Sequence, residues 1–281
     1  MANVSNRTLM AVHAHPDDES SSTGGILARY AAEGVRTVVV TCTNGEYGDG
    51  PGHVKPGEPG HDPAQVSKTR LAELEAACDH LGVGALELLG YHDSGMPDWS
   101  FKEADHVFCN VPFDEPVGRL VALLERYRPD VVVTYDNLGI YNHPDHVRAH
   151  EITVVAVERT GIPSKLYFTA RRRADWERLR EHAEAAGVAP PAPPRRELTS
   201  ELLERVAAAE ARITTTVDVS AVVDRKLAAL AAHASQLDES WWVRFPPEVF
   251  AGVFGEESFI KERDRAGAPV PETDLFAGLE G

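Results

Sequence analysis

The 281-residue chain has little cysteine, a deficit of positive charge and no long apolar run. No stretch approaches the roughly 20 consecutive apolar residues of a membrane-spanning helix. The opening "MANVSNR" lacks the apolar core of a secretory leader, so the expected compartment is cytoplasmic. Cys42, Cys78 and Cys109 are odd in number and scattered. That excludes a disulfide framework and fits small buried hydrophobes in a reducing compartment. Lys and Arg number 28 against 44 Asp and Glu, a net charge of −16. Nucleic acid and anionic membrane surfaces are therefore excluded as partners, because clustered cations supply most of that affinity. The first strand-like run is not followed by G-x-G-x-x-G, which sets aside a dinucleotide-binding module. No internal repeat is present.

What remains is an ordinary globular composition, 43% hydrophobic and 26% charged. "RTLMAVHA" (7–14), "RTVVVTCT" (36–43), "ALELLGY" (85–91), "DVVVTYD" (130–136) and "SKLYFTA" (164–170) read as strands, several of them continuous apolar runs. Helical spacing marks 20–34, 67–83, 115–129 and 143–161, the last with Pro144 in its first turn. The alternation predicts an α/β fold: a Rossmann-like, mostly parallel sheet with helices on both faces and a smaller C-terminal α/β extension. The expected division is a catalytic domain over 1–186, a Pro-rich linker over 187–197 ("GVAPPAPPRRE") and an extension over 198–281 packed on the catalytic domain. The Gly/Pro-rich stretch 44–65 is a long loop between a strand and a helix, the place for a lid or a mobile segment.

Ligands of parallel sheets sit beyond the carboxyl ends of the strands. Two chemically dense clusters occupy such positions. His13-Ala14-His15-Pro16-Asp17-Asp18-Glu19 follows the first strand, and Tyr141-Asn142-His143-Pro144-Asp145-His146 follows the fourth. Each contains His-Pro-Asp. Nitrogen and oxygen donors of this kind suit Zn²⁺, whose catalytic sites use three protein ligands and an open position. His143 and His146 are three apart at a helix start and share a face. A single such histidine is usually a satisfied polar residue near a strand end; two matching clusters favour a metal site. His13, two before His15 on the same strand face, and Glu19, at a helix start, are expected to play supporting parts.

"AHPDDES" paired with "HPDH" resembles the signature of the LmbE-like/PIG-L superfamily of zinc-dependent N-deacetylases and amidases. Arg70 and Glu73 in "KTRLAELEAACDHLG", "HDSGM" (92–96), "AHASQ" (232–236) and the ending "ETDLFAGLEG" extend the resemblance over most of the chain, toward the mycothiol branch and its S-conjugate amidases. The resemblance implies that His15, Asp18 and His146 hold Zn²⁺ (or Fe²⁺), and that Asp17 is the general base. It implies that His143 stabilises charge, with Asp145 holding its ring and keeping it cationic, and that Tyr141 reaches the substrate carbonyl. Arg70 and Asp93 match positions that bind the sugar or inositol. Ser22 departs from the amidase branch, where a lysine is expected, and resembles the deacetylases.

The implied reaction is hydrolysis of the amide of an N-acyl glucosamine-type small molecule, by an N-deacetylase or a mycothiol S-conjugate amidase. The implied partner is an amino-sugar or thiol-conjugate substrate, with a homo-oligomer left open. A deacetylase tailoring a glycosylated natural product and a non-catalytic binder on the same fold are the alternatives. A TIM-barrel amidohydrolase, which also uses His-x-His at a strand end, needs further metal-binding residues after later strands. Past His146 there remain His150, His182 and His233, none at a convincing strand end.

Overall fold

The computed structural model describes residues 7–172, 207–236 and 246–279, with a few isolated positions between 178 and 204; the side chains of Ile140, Tyr141, Pro247 and Glu248 are not described. The expected linker 187–197 thus lies almost wholly outside the described residues, as do Trp241 and Trp242 of the tail.

Five strands run parallel: β1 (Thr8–His13), β2 (Arg36–Thr43), β3 (Ala85–Tyr91), β4 (Val131–Thr134) and β5 (Lys165–Ala170). Two more come from the C-terminal part, β6 (Thr215–Asp218) and β7 (Glu256–Asp264), and the order across the sheet is β3-β2-β1-β4-β5-β7-β6. β7 is antiparallel to both β5 and β6. The sequence pattern missed β7, which is charged along most of its length.

The longer helices among the described residues are α1 (Asp18–Ala32), α2 (Pro63–Leu81), α3 (Asp114–Tyr127), α4 (Pro144–Thr160), α5 (Val223–Ala232) and α6 (Pro247–Phe254). Their ends follow local chemistry. α2 starts four residues before the spacing suggested, because the Asp62 carboxylate accepts the Ala64 and Gln65 N–H groups and Pro63 needs no partner for its nitrogen. α2 ends at Gly82 with φ of 72°, a conformation that costs glycine nothing.

Residues of β1 alternate between two cores. Met10 and Val12 pack with Val117, Leu120, Ile152 and Ala156 of α3 and α4; Leu9 and Ala11 pack with Ile26, Leu74 and Ala229 of α1, α2 and α5. α1, leaving β1, therefore covers one face, and α4, leaving β4, covers the other. Neighbouring parallel strands whose helices depart to opposite faces open a crevice at their carboxyl ends. The two His-Pro-Asp clusters meet in it.

Candidate active site

The first cluster is a tight turn from β1 into α1. Asp17 occupies the N-cap position with φ of 126°, a conformation that costs a non-glycine residue about 1–3 kcal/mol. Its carboxylate makes no cap bond; instead it meets Arg70 Nη2 at 2.9 Å. Asp18 folds back so that its Oδ2 accepts the His15 backbone N–H at 2.9 Å. In the second cluster Asn142, with φ of 67°, turns the chain into α4, and the His143 ring caps that helix by accepting the Asp145 N–H at its Nδ1.

Asp18 Oδ2 lies 3.3 Å from His15 Nδ1 and 3.5 Å from His146 Nε2. Two ligands about 2.1 Å from a tetrahedral Zn²⁺ are separated by about 3.4 Å, so each of these two donor pairs matches one edge of such a site. Their tautomers suit it too. His15 Nε2 donates to Asp145 Oδ2 at 3.1 Å, directing Nδ1 toward Asp18; His146 Nδ1 donates to the Gly139 carbonyl at 3.2 Å, directing Nε2 the same way. Gly139 allows this approach, since a Cβ there would fall 2.7 Å from His146 Cβ. Tyr135 stacks on the His146 ring, centroids 4.2 Å apart and planes 10° apart, while its hydroxyl accepts the Ala14 N–H at 2.8 Å. Donor atoms of His15, His143 and His146 also come within 4.8 Å of one another, as do those of His15, Asp93, His143 and Asp145.

The charges follow from burial and neighbours. Burial opposes ionisation of Asp18, but His146 and His15 overcome it and hold its carboxyl well below the usual range. Burial pushes His146 down to about 4, which keeps it a neutral imidazole able to ligate. Burial likewise lowers His15, yet Asp93, Asp145 and Asp18 outweigh it and raise the ring well above its ordinary value, so an ion bound at Nδ1 would displace a proton from this carboxylate-rich site. Asp17 is raised to about 6 by burial, against the pull of Arg70. Such a carboxylate can take a proton and return it near neutral pH.

Two expectations need correction. Asp145 was expected behind the His143 ring, and His143 was expected to be cationic. The Asp145 carboxylate instead bonds His15 Nε2, the Ser94 N–H at 2.9 Å and the Ser94 hydroxyl; its link to His143 is through its backbone N–H. Burial, with His15 and His146 adding to it, pushes His143 down, so the ring is neutral; with Nδ1 accepting, its proton sits on Nε2. Arg70 and Asp93, expected to bind substrate, are 5% and 4% exposed. The described hydrogen bonds of Arg70 run inward, to Gly45 O, Pro16 O and Asp17; Asp93 Oδ1 accepts the Gly95 N–H in the "HDSG" turn. Ser22 is half-buried on α1, its Oγ 3.4 Å from Ser21 Oγ, and has no hydrogen bond to Arg70 or Asp93 among the described residues. The Tyr141 side chain lies outside the described residues.

His13 bonds Thr23 Oγ1 at 2.8 Å and is fully buried. Ser94, Tyr135 and Glu46, whose Oε2 accepts the Asp93 N–H at 2.9 Å, were not singled out by the sequence. Ser94 stands in the "HDSGM" motif, which was a signal; Tyr135 and Glu46 carry none. The 44–65 loop is held rather than loose where Gln236 grips it: Oε1 accepts the Asp49 N–H at 3.0 Å and Nε2 donates to Asp49 O at 3.1 Å. A cavity of about 360 Å³ opens beside Asn142 and Pro144, bounded also by Pro97, Lys102, Cys109 and Arg148.

Known proteins share this arrangement of elements and much of the sequence. The 1D-myo-inositol 2-acetamido-2-deoxy-alpha-D-glucopyranoside deacetylase of Actinosynnema mirum is 44% identical over 97% of this chain and 97% of its own length. That of Mycobacteroides abscessus is 38% identical over 99% of this chain and all of its own length. Among solved structures, the N,N'-diacetylchitobiose deacetylase from Pyrococcus horikoshii, 18% identical, matches with a TM-score of 0.60 over 91% of this chain and 83% of that one, which speaks to the fold. A family model described as PIG-L: GlcNAc-PI de-N-acetylase matches residues 10–157, more than half of the chain. The chain therefore belongs to the PIG-L family of amide-hydrolysing de-N-acetylases.

Proposed function

We propose that this enzyme is a cytoplasmic, zinc-dependent deacetylase that hydrolyses the acetamide of N-acetylglucosaminyl-inositol, releasing acetate and the free amine. The observation that carries the reading is Asp18 Oδ2 placed 3.3 and 3.5 Å from His15 Nδ1 and His146 Nε2, with the raised carboxyl of Asp17 next in the chain. His15, Asp18 and His146 would hold the ion. Zn²⁺ in such a site supplies an acidified water and a Lewis acid for the amide carbonyl. Fe²⁺ accepts the same donors.

Asp17 then takes the proton from the attacking water and delivers it to the nitrogen as the C–N bond breaks, so that a neutral amine departs. Arg70 aims the Asp17 carboxylate. The His143 Nε2–H donates to the oxygen that becomes negative in the tetrahedral state, a contribution typically worth roughly 10²–10³ in rate; Tyr141 is its proposed companion. Ser22 and the names of the relatives both favour the deacetylase over the S-conjugate amidase. Residues 198–281 act as part of the same catalytic body, since they supply β6, β7 and α5.

Zinc-loaded protein incubated with N-acetylglucosaminyl-inositol should release primary amine. D17N should retain zinc and lose roughly 10²–10⁴ in kcat. Full turnover by D17N would overturn the role of Asp17; absence of amine from the wild type would overturn the substrate.

A further inference from the structure

An aspartate at an N-cap ordinarily turns its carboxylate onto the N–H groups of its own helix. Asp17 does not, and its backbone N–H is held from elsewhere. Glu19 Oε2 accepts it at 2.9 Å. The other oxygen, Oε1, accepts His233 Nε2 at 2.7 Å and the Ser20 hydroxyl at 2.5 Å. Glu19 and His233 are both fully enclosed, at 0% exposure, and are 214 residues apart in sequence. An enclosed carboxylate with three charge-assisted bonds and a fixed imidazole behind it is a rigid support.

His233 ends α5, and the next residues grip the other side of the same turn. Ser235 donates from its N–H and hydroxyl to both oxygens of Glu73, at 2.8 and 2.7 Å. Glu73 is one turn along α2 from Arg70, whose guanidinium holds the Asp17 carboxylate. The "HASQ" segment thus braces both of the contacts that define Asp17: its N–H through Glu19 and its carboxylate through α2.

We propose that His233, acting through Glu19, is a positioning residue that keeps Asp17 in its positive-φ conformation and aims its carboxylate at the reacting water. The inference rests on Asp17 being the proton carrier. His233 makes no hydrogen bond to His15, Asp18 or His146 among the described residues; its effect travels through one carboxylate to one backbone N–H.

The test uses metal-loaded full-length enzyme, with kcat and KM for amine release and metal content measured together. H233A should lower kcat roughly 10–100-fold, the scale of displacing a reacting group by about 1 Å, with KM and metal stoichiometry unchanged. H233Q, whose amide can still donate to Glu19, should recover most of the loss. The H233A/D17N double variant should be no slower than D17N, because both act on one proton transfer. Should H233A fail to fold, E19D, which keeps the charge facing His233 but draws back from the Asp17 N–H, should show the same loss of kcat. Unchanged kcat in H233A beside an inactive D17N would overturn this proposal alone, as would metal loss in H233A or multiplying losses in the double variant. Full turnover by D17N would overturn the reading of Asp17 and this proposal with it.

Discussion

Replacing Gly25 by alanine tests whether the C-terminal strand β7 belongs to the body that carries the proposed metal ligands. On an exposed helix surface the change would gain about 1 kcal/mol of helix propensity. Here the new Cβ would stand 2.5 Å from Val219 Cγ2, 2.8 Å from Val219 Cβ and 2.8 Å from Glu257 Oε1. Val219 and Glu257 are 1% and 6% exposed, so neither can withdraw into solvent. Overpacking of this kind costs about 1–3 kcal/mol. Glu257 also has work that displacement would spoil: its carboxylate accepts the Gly25 and Ile26 N–H groups of α1 at 2.8 and 2.9 Å and the Lys226 ammonium at 2.6 Å. Hydrogen bonds to a charged group contribute about 1.5–3 kcal/mol each, so weakening one of them already cancels the propensity gain. The expected net loss is about 2–4 kcal/mol. At about 2–4 °C per kcal/mol, Tm should fall by roughly 5–15 °C in differential scanning calorimetry. Gly24→Ala, whose Cβ would come no closer than 3.2 Å to any neighbour (Lys226 Cγ), should be much milder. A Tm for G25A at or above that of the wild type would refute the docking of α1 on β7.

Three further outcomes follow from the site. Asp145→Asn should weaken metal binding roughly 10–100-fold in a chelator competition, because the carboxylate behind His15 is lost; unchanged affinity would remove Asp145 from that place. Burial lowers the His233 pKa, but Glu19 overcomes it and raises the ring above 6.5. The stabilisation from a raised histidine is complete below pH 6.5 and is lost as pH climbs through the folded value. Tm measured against pH should therefore decline above pH 6.5, and the decline should flatten in H233Q; parallel curves for the two proteins would refute the pairing. Gln236→Ala removes both bonds to Asp49 and should speed amide exchange at Asp49 and the adjoining loop while leaving β1 protected.

The sequence revealed those elements whose burial is written locally. β1, β2 and β4 lie inside the sheet and read as unbroken apolar runs. α4 is announced by Pro144 and closed by Gly161 at φ of 60°. β7 was illegible for the opposite reason. Its Phe259 enters the core, but Glu257 on the same strand is buried because it meets α1 and Lys226, partners more than 200 and about 30 residues away. Nothing in a nine-residue window distinguishes that glutamate from a solvated one.

The site divides in the same way. Two His-Pro-Asp clusters at two strand ends are visible in the chain, and they predict which residue types converge. Which atom serves which partner depends on the helix starts. At α4 the proline leaves Asp145 with an early N–H that no turn of helix can satisfy, and the His143 ring takes it. That occupies Nδ1 of His143 and releases the Asp145 carboxylate to reach across to His15. At α1 the exchange is reversed: Asp17 holds the cap position without capping, and Glu19, two residues on, takes the Asp17 N–H. In both turns a carboxylate that would ordinarily be spent on a helix end is freed for the chemistry, and another side chain does the capping or bracing. The residue that departs from its local preference is in each case the one aimed at the site, which is where strain and unusual pairing are expected to collect.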